Sequence, residues 1–172
     1  LTPEKPFALP VNDYYLDIID NAEAVKADVP KGSTWVTAPE YVKDDGVLNG
    51  NRTQSLKAWL SKQFVNQKTS IHWQMFLFYH NLLVASLQNG GPVKNAFQYV
   101  ETLFKSSLGN FKDLIYNITL DPSMLVYLNG NQNNKNAPDE NYARELQELF
   151  TVGKGPNSKF TESDVSEMAR LL

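Results

Sequence analysis

From about residue 51 onward, apolar positions recur with helical spacing. Leu56, Trp59, Leu60 and Phe64 fall at i, i+3, i+4 and i+8 behind Thr53, which predicts an amphipathic helix capped there and running to about Val65. Thr69 or Ser70 then caps Ile71 to Gln88, whose apolar residues lie all round the helix; Asn89, Gly90 and Gly91 stop it. A helix of that kind is expected to be the buried centre of the fold. Pro92 opens a helix to about Leu108, closed by Gly109; Asn110 to Leu120 makes the next; Asp121 and Pro122 open a short one through Leu128. Asp139 caps a helix from Glu140 to about Val152, stopped by Gly153, and Thr161 with Asp164, a loose capping box, starts a helix still running at Leu172. The last pattern is unfinished, so the chain is expected to stop inside a larger protein.

The first fifty residues read differently. They hold five of the nine prolines (Pro3, Pro6, Pro10, Pro30 and Pro39) with Gly32, Gly46 and Gly50, and predict a loop-rich stretch. Within it Asp13 to Ile19 suits a short helix or strand and Asn21 to Ala27 a short helix, while Trp35, Val36 and Tyr41 are apolar enough to dock on a core. The expected organisation is an arm over 1–50, packed on a helical domain over 51–172 that is cut short at its C-terminal end. The fold class is all-α: an irregular bundle of about six helices round the buried 71–88 helix.

Composition narrows the function classes. With 172 residues the chain has the size of one ordinary domain, and with no Cys it offers neither a disulfide framework nor a thiolate metal site. A net charge of -3, with 16 Lys and Arg scattered along the chain, provides no electrostatic drive toward nucleic acid. The longest apolar run, Met75 to Tyr79, is far short of the ~20 residues of a membrane span. Leu1 follows no initiator Met and no basic-then-apolar leader, the pattern of a processed product or an excised piece. Nucleotide-binding and serine-hydrolase motifs are absent, and no cofactor is implied.

The densest chemistry lies in Pro138 to Gly153, PDENYARELQELFTVG. At about 100° per residue Tyr142, Leu146, Leu149 and Phe150 share one side, and Glu140, Asn141, Arg144, Glu145 and Glu148 the other. Two readings of that polar side stand together. In one, Glu140, Arg144 and Glu148 form an i, i+4, i+8 ladder on a solvated face. In the other, Glu145 and Glu148 are an acid/base pair or ligands of a hard cation, Arg144 clamps an anionic group, and Glu140, Asn141 and Tyr142 contact substrate. Asn129, Asn131, Asn133, Lys135 and Glu140 have the spacing of a calcium hand. Position one lacks Asp, position six is Asn134 rather than Gly, and a Lys intrudes, so a flexible solvated loop is expected and no metal site is assigned.

The same stretch, Asp139 to Gly153, resembles the signature N-E-N-Y-A-R-E-L-M-E-L-F-T-L-G of the bacterial domain of unknown function 1800 family. Leu108-Gly109-Asn110-Phe111, then Asp121-Pro122-Ser123-Met124-Leu125 with Tyr127-Leu128, and Phe160-Thr161 with Asp164-Val165 and Ala169-Arg170, are similar to further family elements in the same order. The resemblance covers about residues 52 to 172. It implies a parent protein of several hundred residues, with more chain beyond Leu172 as the natural partner of this piece, and an exported, extracytoplasmic location; it implies no activity.

Departures from the family bear on chemistry. The family's central helix reads F-W-H-N-H-F where this chain has Phe78, Tyr79, His80, Asn81, Leu82 and Leu83, so one of two histidines remains. His80, on an apolar helix, needs a partner. The first expectation is a neutral core histidine bonded to a carboxylate or carbonyl of the signature helix; the other is catalysis or metal ligation. His72 is expected at the surface or as a cap. Phe104 stands where the family tends to place Arg. The two functional classes are therefore a non-catalytic helical module of an exported protein, with a protein or glycan partner in the cell envelope, and a hydrolase of envelope or carbohydrate material using Glu145, Glu148, Arg144 and His80.

Overall fold

In the computed structural model, residues 35–36, 46–67, 69–86 and 92–172 are described. Among them the chain is all helical, with seven α-helices and no strand. They are α1 (Gly46–Asn66), α2 (His72–Leu82), α3 (Val93–Ser106), α4 (Phe111–Thr119), α5 (Pro122–Tyr127), α6 (Glu140–Glu145, continued as a π-helical stretch Leu146–Thr151) and α7 (Glu162–Leu171). A 3-10 turn at Gly130–Gln132 joins α5 to α6. None of these helices is long and apolar enough to cross a membrane.

The hub of the bundle is α3. Val93, Ala96, Phe97, Tyr99, Val100, Leu103 and Phe104 are all buried, a stripe at helical spacing wide enough to meet α1, α2, α4 and α5 at once. The sequence reading gave the centre to the 71–88 helix instead. That helix buries Trp73 and Phe76 but leaves Ile71 and Phe78 exposed, because its apolar residues outnumber the surface its neighbours offer.

Aromatic rings fill the junction of α1, α2 and α3. Phe64 meets Trp73 at 5.0 Å, Trp73 meets Phe76 at 5.3 Å and Phe104 at 4.3 Å, and Trp59 meets Phe97 at 5.6 Å. Tilted and edge-on pairs at these spacings add to simple burial. Phe104, the residue standing in place of an arginine, is part of this interior and stacks on the His72 ring at 3.7 Å. Trp35 and Val36 are buried as expected, Trp35 edge-on to Phe97 with the Arg52 guanidinium 5.7 Å from its ring centre. Tyr41 and the short elements at 13–19 and 21–27 lie outside the described residues.

Several boundaries moved. Helix α1 begins at Gly46, so Thr53 is interior rather than a cap. Helix α2 stops at Leu82, well before Gln88: Leu83 leaves helical geometry at φ -101 and ψ 55, and its carbonyl accepts the Tyr99 hydroxyl at 2.6 Å. The caps at Asp121, Asp139 and Thr161 form where expected, and Asn110 caps α4 as well. Asn110, Asp121 and Asp139 each accept a backbone N–H two residues on, at 2.8, 2.9 and 2.8 Å, and Thr161 with Asp164 forms a full capping box.

A smaller cluster lies apart from the main core. Ala143 of α6 and Val165 and Ala169 of α7 are buried together, with Phe160 and Met168 packed against them. The two alanines let α6 and α7 approach closely.

Phe76 is fully buried within the aromatic junction. Phe76→Ala should therefore destabilise the fold by about 3 to 5 kcal/mol, read as a drop in the midpoint of urea unfolding at unchanged m-value. A loss below ~1 kcal/mol would show that the junction is not packed as described.

Candidate functional site

The signature helix has two halves with different registers. From Glu140 to Glu145 it is α-helical, with Tyr142 and Ala143 buried. From Leu146 the turn widens: the Gln147 carbonyl accepts from both the Val152 and Gly153 N–H at 3.0 Å, and the Thr151 hydroxyl takes the Leu146 carbonyl at 2.6 Å. Gly153, at φ 85, reverses the chain. The wider turn keeps Leu146, Gln147 and Phe150 inside and swings Leu149, 58% exposed, out to solvent. Uniform helical spacing had grouped Leu149 with the buried side.

The first half is tied to the body by side chains that were read as candidate substrate contacts. Tyr142 donates its hydroxyl proton to Thr119 Oγ1 at 2.8 Å, and Asn141 Nδ2 donates to the Leu128 carbonyl at 3.2 Å. The polar loop before it is held the same way: Asn133 accepts from the Asp139 N–H at 2.9 Å and donates to the Ala169 carbonyl at 2.7 Å. Asn134 accepts from the N–H groups of Asn136 and Ala137. Of the asparagines with calcium-hand spacing, Asn133 is thus committed to backbone groups, as is Asn134 beside it.

Arg144 is the centre of the ionic face. It forms a two-pronged pair with Glu162 at the start of α7, at 3.0 and 2.8 Å, and also reaches Glu140 at 3.1 Å and Glu148 at 3.5 Å. The other Glu148 oxygen receives Lys154 at 2.8 Å, and the other Glu140 oxygen accepts the Ser166 hydroxyl. Lys154 and then Arg144 hold Glu148 below the usual carboxylate range, and Glu162, chiefly, pushes Arg144 above its own. Glu145, half-buried one turn from Glu148, is paired with no described side chain. Among the described residues no group of three His, Cys, Asp or Glu side chains is placed to hold a metal ion. Glu162, Lys154 and Ser166 were not singled out by sequence; Glu162 carried a weak signal as an acid in a first helical turn.

His80 lies elsewhere, between α2 and α3. Its partner is neither a carboxylate nor a carbonyl of the signature helix but Tyr99, with Nδ1 3.2 Å from the hydroxyl. The Tyr99 proton is committed to the Leu83 carbonyl, so Nδ1 must be the protonated nitrogen and donates to the Tyr99 oxygen. The ring also stacks on Phe76 at 5.6 Å. Burial lowers the His80 pKa from its ordinary value of 6.5. His72, expected at the surface or as a cap, is the first residue of α2 and sits 2.6 Å from the Phe104 carbonyl through Nε2.

A family model described as protein of unknown function (DUF1800) matches residues 9–172. The chain belongs to this family. Within DUF1800, therefore, the signature residues Asn141, Tyr142 and Arg144 of this member have concrete structural partners. No curated protein and no solved structure matches the chain.

A neutral His80 has a consequence for stability. Because its folded pKa lies below 6.5, stability is complete above pH 6.5 and falls as pH drops below it, where the unfolded chain protonates first. Nitrogen-15 NMR should show the Nδ1–H tautomer with a titration midpoint below 6.5. A midpoint above that value, or the Nε2–H tautomer, would contradict the Tyr99 bond.

Proposed function

We propose that this chain is a helical structural and interaction module of a larger exported bacterial protein, in which the signature helix braces α7 onto the body. The observation that carries this reading is the satisfied state of Arg144. Its guanidinium is engaged by Glu140, Glu148 and Glu162, and Glu162 belongs to the helix being braced. A clamp for an anionic substrate would need those donors free.

The charge state of the carboxylates points the same way. A general acid working near neutrality needs a carboxyl whose pKa is raised toward the working pH, and the two cations hold Glu148 in the opposite direction. The module's partner is the remainder of the same protein, an inference that draws on the family resemblance. An envelope or carbohydrate hydrolase built on Glu145, Glu148, Arg144 and His80 is supported less well, since His80 bonds away from the ionic face, to Tyr99.

Arg144→Ala tests the brace. Hydrogen exchange should accelerate several-fold at the backbone amides of α7 while those of α3 keep their protection, and proteolysis should begin in the 153–161 connector. Unchanged exchange in α7 would remove the brace. Hydrolysis of an envelope glycan by the full-length protein, lost in Glu148→Gln, would replace it with the enzymatic reading.

A further inference from the structure

Helix α2 has two faces, and the described bundle uses one of them. Trp73 and Phe76 are buried on the inner face, and His80 on the same side meets Tyr99. On the opposite side, at about 100° per residue, Ile71, Met75, Phe78 and Leu82 form one line. Ile71 is 64% and Phe78 57% exposed, while Met75 and Leu82 are half-buried. The steps along the line, four, three and four residues, are those of the apolar seam along which two α-helices pack side by side. Phe78 stands edge-on to Tyr79 at 5.2 Å, and Tyr79 stacks on Phe111 of α4 at 6.1 Å. The exposed ring is therefore supported from one side by the fold itself.

The charge pattern identifies what fits this line. From Lys68 to Lys94 the sequence passes through its longest stretch without Asp, Glu, Lys or Arg. The exposed groups bordering the seam are amides, Gln74 and Asn81, one turn to either side of Phe78. A lipid surface calls for basic residues beside the apolar line, and a charged partner calls for countercharges; α2 carries neither. A chain with a net charge of -3 repels its own copies, and contact about a two-fold axis brings each group close to its own kind. Charged side chains oppose such a contact. Apolar side chains, and amides that both donate and accept, favour it, and the outer face of α2 is made of these.

We propose that the outer face of α2 is a self-association surface, on which α2 of a second copy of this chain packs antiparallel about a two-fold axis. Ile71 of one copy then lies against Leu82 of the other, Met75 lies against Phe78, and Gln74 faces Asn81, amide to amide. The antiparallel arrangement also opposes the two helix dipoles. The 11 residues of α2 span only about 16 Å, so the pair is a weak, concentration-dependent dimer with Phe78 as its central anchor. The Arg144 brace lies on α6, and neither inference depends on the other.

Sedimentation equilibrium of the full chain tests the pairing. The mass should rise from 19.4 kDa toward twice that value as concentration increases from about 1 μM to about 1 mM. Phe78→Glu, which sets two carboxylates near the axis, should weaken association at least ~tenfold. Ile71→Glu should do the same, and replaces the first variant if that one does not fold. Tyr116→Glu, at an exposed ring of α4 outside the seam, should leave association unchanged; an equal loss there would show non-specific clustering and overturn the proposal. Because the chain has no Cys, disulfide-linked dimers report the register. Mixed Gln74→Cys and Asn81→Cys chains should cross-link to each other faster than either does to itself, and no preference would overturn the antiparallel pair. A wild-type chain still monomeric at ~1 mM would overturn it too, and Phe78 ring signals that then shift with maltohexaose would give the face to a glycan instead.

Discussion

One phenolic proton determines much of the upper bundle. The Tyr99 hydroxyl can donate once, and it donates to the Leu83 carbonyl. That bond ties α3 to the residue at which α2 leaves helical geometry, and gives one of the orphan carbonyls at the end of α2 a partner. It also leaves only the oxygen of Tyr99 to face His80, which forces the imidazole to present Nδ1–H. The capping of one helix end and the tautomer of one histidine therefore follow from a single residue on the hub helix.

The lower part of the molecule is organised by a different economy. Helix α7 contacts α6 through small and medium side chains, Ala143, Val165 and Ala169, that bury little area. What the apolar contact lacks in size is made up by directed bonds: Arg144 to Glu162, Ser166 to Glu140, Gln147 to the Asp164 carbonyl at 3.4 Å, and Asn133 to the Ala169 carbonyl. Exposed ion pairs are individually weak and are screened by salt. Converging on one guanidinium, they hold α7 in register more than they add to the stability of the whole.

Local chemistry was legible in the sequence and tertiary chemistry was not. The caps at Asn110, Asp121, Asp139 and Thr161 act within two or three residues, so their side chains announce them. The carbonyl at the end of α2 finds its partner in a hydroxyl sixteen residues away, and the partner of His80 is the same distant residue; no local pattern encodes either. Helix α1 runs through Gly50 to Gly46, against the turn preference of its glycines, and a Cβ at Gly50 would meet nothing within 4 Å. On the ionic face the i, i+4 ladder of Glu140, Arg144 and Glu148 could be read directly from spacing. Its decisive member, Glu162, is eighteen residues from Arg144 and comes from the next helix.

The π-helical stretch of the signature helix works as a phase shifter. Upstream of it, side chains obey the register set by Tyr142 and Asn141 against the body; downstream they obey a register rotated by the widened turn, which brings Gln147 inside and sends Leu149 and Val152 outside. No single helical wheel describes residues 140–152. Within this family, an insertion or deletion of one residue between Leu146 and Thr151 would turn the side chains downstream of it by about 100° about the helix axis, and would leave every residue of the motif before it in place.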